Sequence, residues 1–405
     1  PPLERFVLLS SLEDALELDG EKFYLSCHFY PDTVYPRGHE YLTQFSLDPF
    51  PTFLYEIGAT HVKKTIFLLH RENTVVIAYK LLETDASSVK LEVKPLAAFR
   101  DYHALTQENS ALNPALELAK GQVKFHPYAG LAPLYFHHNA VIVDKAGYWY
   151  HNFEYVRELE RGLDHHEDLF APFALIYSFL AAEEVYLVAS TQPLRSFDFE
   201  DAMARELERR RKIAATFPTK DRLWFYLWQS AESFVVERRG GEKAILAGYH
   251  WFGDWGRDTM ISLHGLLLTR GQYEVAKSVL LSYSQYVNKG VIPNRFPDFG
   301  DTPEYNTIDA SLWYVNAVYE YLEYTDDVES VERQLYPVLK KIVKFYREGT
   351  HYGIRMNANG LIQGGEGNVA LTWMDARVRG VPVTPRHGQP VEINALWYNA
   401  LCIVG

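Results

Sequence analysis

Cysteine is almost missing from these 405 residues: Cys27 and Cys402 are the only two, and neither sits in a metal-ligand spacing. That excludes a disulfide-stapled scaffold and a cysteine-based zinc module. Both thiols lie in apolar surroundings and are expected to be free and buried, as in a reducing compartment. No Asn-x-Ser/Thr sequon and no N-terminal signal pattern occur, so the expected location is the cytoplasm. No apolar run approaches the roughly 20 residues of a membrane helix. Positive charge is in deficit, 40 Lys and Arg against 52 Asp and Glu, for a formal net charge of −12. That balance argues against nucleic acid and anionic membranes as partners and disfavours an anionic polymer, while a neutral sugar is unaffected. A phosphate loop is lacking as well, since GGEG at residues 364–367 is too short and badly placed for one.

Aromatic rings are what the chain has in excess: 28 Tyr and 8 Trp contribute to an aromatic share of 15%. From Phe6 to about Ser196 the hydrophobic period is mostly two. Thr65-Ile-Phe-Leu-Leu and Val75-Val-Ile-Ala-Tyr flank a hairpin turn at His70-Arg-Glu-Asn-Thr, and Val89-Lys-Leu-Glu-Val-Lys alternates cleanly. The expectation is an antiparallel β-sandwich over residues 1–198. Phe99-Arg-Asp-Tyr-His103 reads as a loop after a strand. The adjacent His165 and His166 tempt a metal reading, but neighbours at i and i+1 point apart on regular elements, so no metal is expected there.

Residues 199–219 read as a connecting helix whose Arg209-Arg-Arg-Lys212 run is a solvated face, with Phe217-Pro-Thr-Lys as the boundary. From 220 to 405 the period is 3.6, with helices expected at 221–237, 258–269, 272–287, 309–324, 328–347 and from about Glu392. Three connections, 238–257, 288–308 and 348–391, are long, and long connections in compact domains usually carry function. If the helices pair antiparallel, all three emerge at one end of the array.

Those connections hold rings beside carboxylates and guanidinium groups. The first contains Trp251, Asp254, Trp255, Arg257 and Asp258; the second contains Arg295 and leads to Asp309 and Trp313; the third contains Trp373, Asp375 and Arg386 and leads to Glu392 and Trp397. Aromatic faces stack on the apolar face of a pyranose, and carboxylates and arginine bind hydroxyls. All of these except Asp258 are expected to bind a sugar. Glycoside hydrolysis needs one carboxylic acid to protonate the leaving oxygen and a second carboxylate as base or nucleophile. Asp258 is the candidate acid; the competing reading is that it merely caps a helix.

The runs HWFGDWGRDTMISLHGLLL, GVIPNRFPD, YNTIDASLWY, LTWMDA and TPRHGQPVEINALWYNAL resemble the glucosidase domain of glycogen debranching enzymes, in the order expected there. PFPTFLYE, ENTVVIAYKLL, FRDYHAL and ERGLDHHEDLF resemble the sandwich domain that precedes it, although Ala-Pro-Phe follows the last where Pro-Gly is expected. The resemblance implies an (α/α)6 toroid, of which about six of twelve helices are present. It also implies inverting removal of α-1,6-linked glucose stubs from glycogen or limit dextrin, without a cofactor. Asp258 falls on the family's general acid, and the general base is expected beyond residue 405, with Glu392 binding sugar or serving the structure. Both ends of the chain look cut, so the sequence is expected to be part of a longer enzyme and inactive alone. Another α-toroid glucosidase, of glucoamylase or trehalase type, and a noncatalytic glucan-binding protein remain as alternatives.

Overall fold

The computed structural model describes residues 5–180, 182–194, 196–217, 221–238, 241–297 and 302–405. Three residues of the expected boundary, 218–220, and residues 298–301 of the second long connection lie outside the described residues. The chain divides into two compact units that meet in sequence between Thr216 and Phe217.

The first unit is a sandwich of two antiparallel sheets, as the period of two anticipates. One sheet has the spatial order Ile142–Glu154, His166–Ser178, Val89–Asp101, Phe6–Leu18, Glu21–Tyr24. The other runs Leu116–Ala119, Gln122–Phe125, Leu134–His138, Glu184–Ser190, Thr74–Glu83, Thr60–Leu68, Thr52–Ile57, Leu42–Ser46. Alternate side chains fill the space between the sheets: Leu16, Leu91, Val93 and Phe173 from one, Val62, Tyr79, Phe136 and Leu187 from the other. Thr60–Leu68 and Thr74–Glu83 pair with Leu68 opposite Val75, closing the expected hairpin over the His70 turn.

Four expectations are corrected. Cys27 and Cys402 are free but exposed, because apolar neighbours in sequence do not fix which face a residue takes. Phe99-Arg-Asp is the end of a strand, and Arg100 reaches Glu167 on the neighbouring strand, with Nε 2.5 Å from Oε1. The rings of His165 and His166 lie 4.2 Å apart, since strand pairing begins at His166 and alternation does not bind the residue before it. A short helix α1 (Val156–Glu160) precedes that pair, and the expected connecting helix is α2 (Phe199–Ala215). Far from being a free linker, α2 buries Phe199 and Ala202 against Phe67, Val76, Ala78 and Val188 on the outer face of the second sheet. Within its basic run only part is solvated: Arg210 lies over the Phe50 ring at 4.6 Å, and Arg209 pairs with the buried Glu206 at 2.9 Å.

The second unit is helical: α3 (Arg222–Ser233), α4 (Gly256–Leu266), α5 (Tyr273–Gln285), α6 (Ala310–Thr325), α7 (Val328–Ser330), α8 (Tyr336–Glu348) and α9 (Val391–Val404). The single helix expected at 328–347 is interrupted by a π turn at Val331–Leu335. Pro337 at the start of α8 explains it, because its ring lacks an N–H and crowds the carbonyl four residues back. Buried Leu263, Leu280, Tyr283, Tyr314, Val318, Ile342, Tyr346 and Trp397 form one core shared by α4, α5, α6, α8 and α9. No helix among the described residues is long and apolar enough to cross a membrane.

Candidate active site

Three connections between these helices meet around the start of α4. Asp254–Trp255, at the end of the first, pairs antiparallel with Arg295–Phe296 of the second. The Gly256 N–H donates to the Asn294 carbonyl at 2.8 Å. A Cβ on Gly256 would stand 2.1 Å from the Pro293 carbonyl oxygen, so the two loops approach this closely only around a glycine. The third connection joins through the Ile308 N–H, which donates to the Leu371 carbonyl at 2.9 Å.

Arg257 holds the three together. Its Nε and Nη2 donate to the two Asp309 oxygens at 2.6 and 3.1 Å, a bidentate pair, and its Nη1 lies 3.7 Å from Asp375 Oδ2. Thr307 Oγ1 donates to Asp309 at 2.8 Å and fixes the carboxylate's plane. Burial opposes the Arg257 charge, yet Asp309 and Asp375 more than compensate and raise its pKa.

Asp258 sits in the first turn of α4, whose N-cap is Trp255, so the helix-cap reading is overturned. Among the described residues no salt bridge holds its carboxylate. The group is exposed to solvent, yet the protein around it still strips part of its hydration. That burial raises its pKa; Arg257 pulls the other way, and Asp375 and Asp309 reinforce the rise. A carboxyl near a helix N-terminus ordinarily favours its anion, so desolvation and the surrounding acids outweigh the dipole here.

The third connection supplies a second arginine–carboxylate pair. Arg386, with φ of 52°, clamps Glu392 through Nη1 and through Nη2 to Oε2 at 2.7 Å, and donates to Thr372 Oγ1 at 3.2 Å. The Arg386 hydrogen bonds hold the Glu392 pKa below its ordinary value, leaving an anion whose two oxygens are both engaged. The Arg386 guanidinium lies 5.6 Å from the Trp373 ring centre, and Trp373 is 57% exposed, which suits a stacking platform.

The other expected sugar contacts divide sharply. Trp251 and Trp255 are partly exposed on the first loop; Trp255 lies 5.6 Å from the Arg295 guanidinium, and Arg295 also pairs with Glu304 at 2.5 Å. Trp313 is partly buried against the helical core, and Asp309 is buried beneath Arg257. Two expectations are corrected. Asp254 is 1% exposed and held in a buried pair: Arg238 Nη2 pairs with it, and Tyr283 donates to its Oδ1 at 2.5 Å. Trp397 is 2% exposed, and its Nε1 donates to the Gly360 carbonyl at 3.2 Å, so it belongs to the core.

Sequence reasoning missed the support beneath the loop. Arg238 packs its guanidinium 4.4 Å from the Phe296 ring and carries the buried end of the Asp254 pair. In the sequence it sits in Glu-Arg-Arg-Gly-Gly, which reads as a solvated charge run. Asn394, in the last motif, receives the Ile362 N–H at 2.7 Å and ties α9 to the third connection.

Residues 229–405 match the family described as Amylo-alpha-1,6-glucosidase, and residues 1–186 match the one described as Glycogen debranching enzyme N terminal. The glycogen debranching enzyme of Saccharomyces cerevisiae is 30% identical over 204 residues, a match covering 37% of this chain and 13% of that protein. The chain therefore spans a small part of that relative's length. A bacterial glucoamylase complexed with acarbose superposes with a TM-score of 0.54 at 11% identity, over 86% of this chain and 55% of the other. At that identity the likeness speaks for the fold, a sandwich joined to an α/α toroid.

Proposed function

From a chain that carries the domain architecture of the glycogen debranching enzymes, we propose a glycoside hydrolase that releases α-1,6-linked glucose stubs from glycogen or limit dextrin in the cytoplasm. Asp258 is the general acid. Its raised pKa keeps a proton available to the leaving glycosidic oxygen as the bond to the anomeric carbon breaks. Inversion requires a second carboxylate that activates water on the far side of the ring, roughly 6.5–9.5 Å from the acid. Glu392 is unsuited to that task, since Arg386 occupies both its oxygens. Among the described residues no carboxylate is assigned that role.

The observation that carries this reading is a contrast among the motif carboxylates. Asp254, Asp309 and Glu392 are each locked to an arginine, whereas Asp258 has no salt bridge among the described residues, is raised in pKa and is exposed to solvent. Trp373, Trp255 and Trp251 are the stacking surfaces for a neutral α-glucan. Arg257, Asp375, Arg386 and Arg295 supply polar groups at their rims.

Substrate choice tests the assignment. The full-length protein should release glucose from isomaltosyl-branched limit dextrin far faster than from maltose or trehalose, with the released sugar appearing first as the β anomer. A preference for maltose or trehalose would replace the debranching assignment with another toroid glucosidase. Unchanged carbohydrate binding without any hydrolysis would leave a noncatalytic glucan binder.

A further inference from the structure

The strands Ile142–Glu154 and His166–Ser178 pair antiparallel up to Glu154 opposite His166. Residues 155–165 connect them, and the Tyr155 N–H closes the base of that connection by donating to the His165 carbonyl at 2.8 Å. Three donor side chains gather there. Glu154, His165 and His166 each offer one ligand atom, all within 4.8 Å of one another. His166 Nε2 lies 3.6 Å from Glu154 Oε1, and the two imidazole rings are 4.2 Å apart.

The hydrogen bonding prepares the site further. His165 Nδ1 stands 3.0 Å from the Leu163 carbonyl oxygen, which can only accept, so Nδ1 carries the proton and Nε2 presents its lone pair. A backbone carbonyl on the far ring nitrogen is the usual partner of a metal-bound histidine, fixing both tautomer and ring direction. Two imidazoles and one carboxylate are the donors of a borderline divalent cation, with ligand bonds of about 2.0–2.2 Å and an open position for water. The spread of the three donors asks for a contraction of about 1 Å to reach those bonds. The side chains have room for it, since Glu154 and His166 are 19% and 43% exposed.

We propose that Glu154, His165 and His166 form a site for a divalent cation of the Zn2+ class, clipping the base of the 155–165 connection to the sheet. The site lies wholly within the sandwich unit and stands independently of the glucan-cleaving reading.

The test uses the whole protein, stripped with a chelator and titrated calorimetrically with ZnCl2 and, separately, MgCl2. One Zn2+ should bind per chain at this site and raise the melting temperature, with no comparable heat from Mg2+. His165→Ala and His166→Ala should each weaken Zn2+ binding at least tenfold and Glu154→Gln clearly, while His103→Ala leaves it unchanged. Because a variant can lose its fold, crystals of the unaltered protein grown with ZnCl2 provide a second readout, an anomalous peak at the zinc edge between the three side chains. The proposal is overturned by absence of that peak, by equal binding of Mg2+, or by Zn2+ binding that survives folded His165→Ala and His166→Ala.

Discussion

At the scale of single residues, the raised pKa of Asp258 links catalysis to stability. Its folded pKa lies above its unfolded value, so the folded state holds the proton more tightly. Below the unfolded pKa both states are protonated and no penalty exists; as pH rises through the folded pKa, ionisation of the partly desolvated carboxyl costs the native state its full amount. Asp258→Asn is therefore expected to melt at a higher temperature than the parent at pH 7, with the difference shrinking as the pH falls. Scanning calorimetry across that range checks it, and a constant or inverted difference would contradict the shielding described for this carboxyl. Asp254 should behave in the opposite way. Removing it in Asp254→Ala strands a buried Arg238 charge and should cost about 3–5 kcal/mol of unfolding free energy in denaturant titrations. Trp373→Ala, at an exposed ring, should change stability by no more than about 0.5 kcal/mol while weakening binding of a linear maltooligosaccharide. Sequence alone pooled Asp254 and Trp373 in one sugar-binding set. Burial separates them, and burial depends on partners such as Tyr283, 29 positions from Asp254, that no local pattern announces.

Among elements, the informative feature is how a loop becomes a helix at Gly256. The short ribbon formed by Asp254–Trp255 and Arg295–Phe296 sets the entry of α4 and with it the direction of Arg257 and Asp258. Gly256→Ala would drive a Cβ into the Pro293 carbonyl, so the two loops must part. The expected cost is about 1–3 kcal/mol in thermal or denaturant unfolding, with a fall in turnover larger than the unfolded fraction explains. Equal turnover in that variant would show that loop spacing does not set the acid's position. Helix existence and order were readable from the 3.6 period, because α4, α5, α6, α8 and α9 each bury apolar residues in a shared core. The π turn at Val331–Leu335 was not, since the pattern of apolar residues continues through it and only Pro337 hints at a break. Likewise α2 looked like a linker because its charged residues dominate, while the few that dock it, Phe199 and Ala202, are too sparse to form a visible stripe.

For the molecule as a whole, two cores built on different periods lie on either side of Phe217 in the sequence. The pattern put the three connections at one end of the array if the helices paired antiparallel; what it could not supply was the contacts that join them, the Arg257–Asp309 pair and the Ile308–Leu371 hydrogen bond. The net charge of −12 adds an expectation at this scale. A neutral glucan gains nothing from that field, so its affinity should shift by less than about twofold as salt is raised well above physiological strength, where charge–charge attraction is screened. Affinity electrophoresis in graded salt measures this, and a steep loss would indicate a charged ligand instead.

The central claim is that Asp258 delivers a proton to the leaving group, and leaving-group dependence addresses it most directly. In the full-length protein, Asp258→Asn should lower kcat on limit dextrin by about 100-fold to 10,000-fold, the usual range for losing a general acid. On α-glucosyl fluoride, whose fluoride departs with little need of protonation, the same variant should retain most of its turnover. Equal losses on both substrates, in a variant that folds and binds glucan normally, would contradict the assignment of Asp258 as the acid.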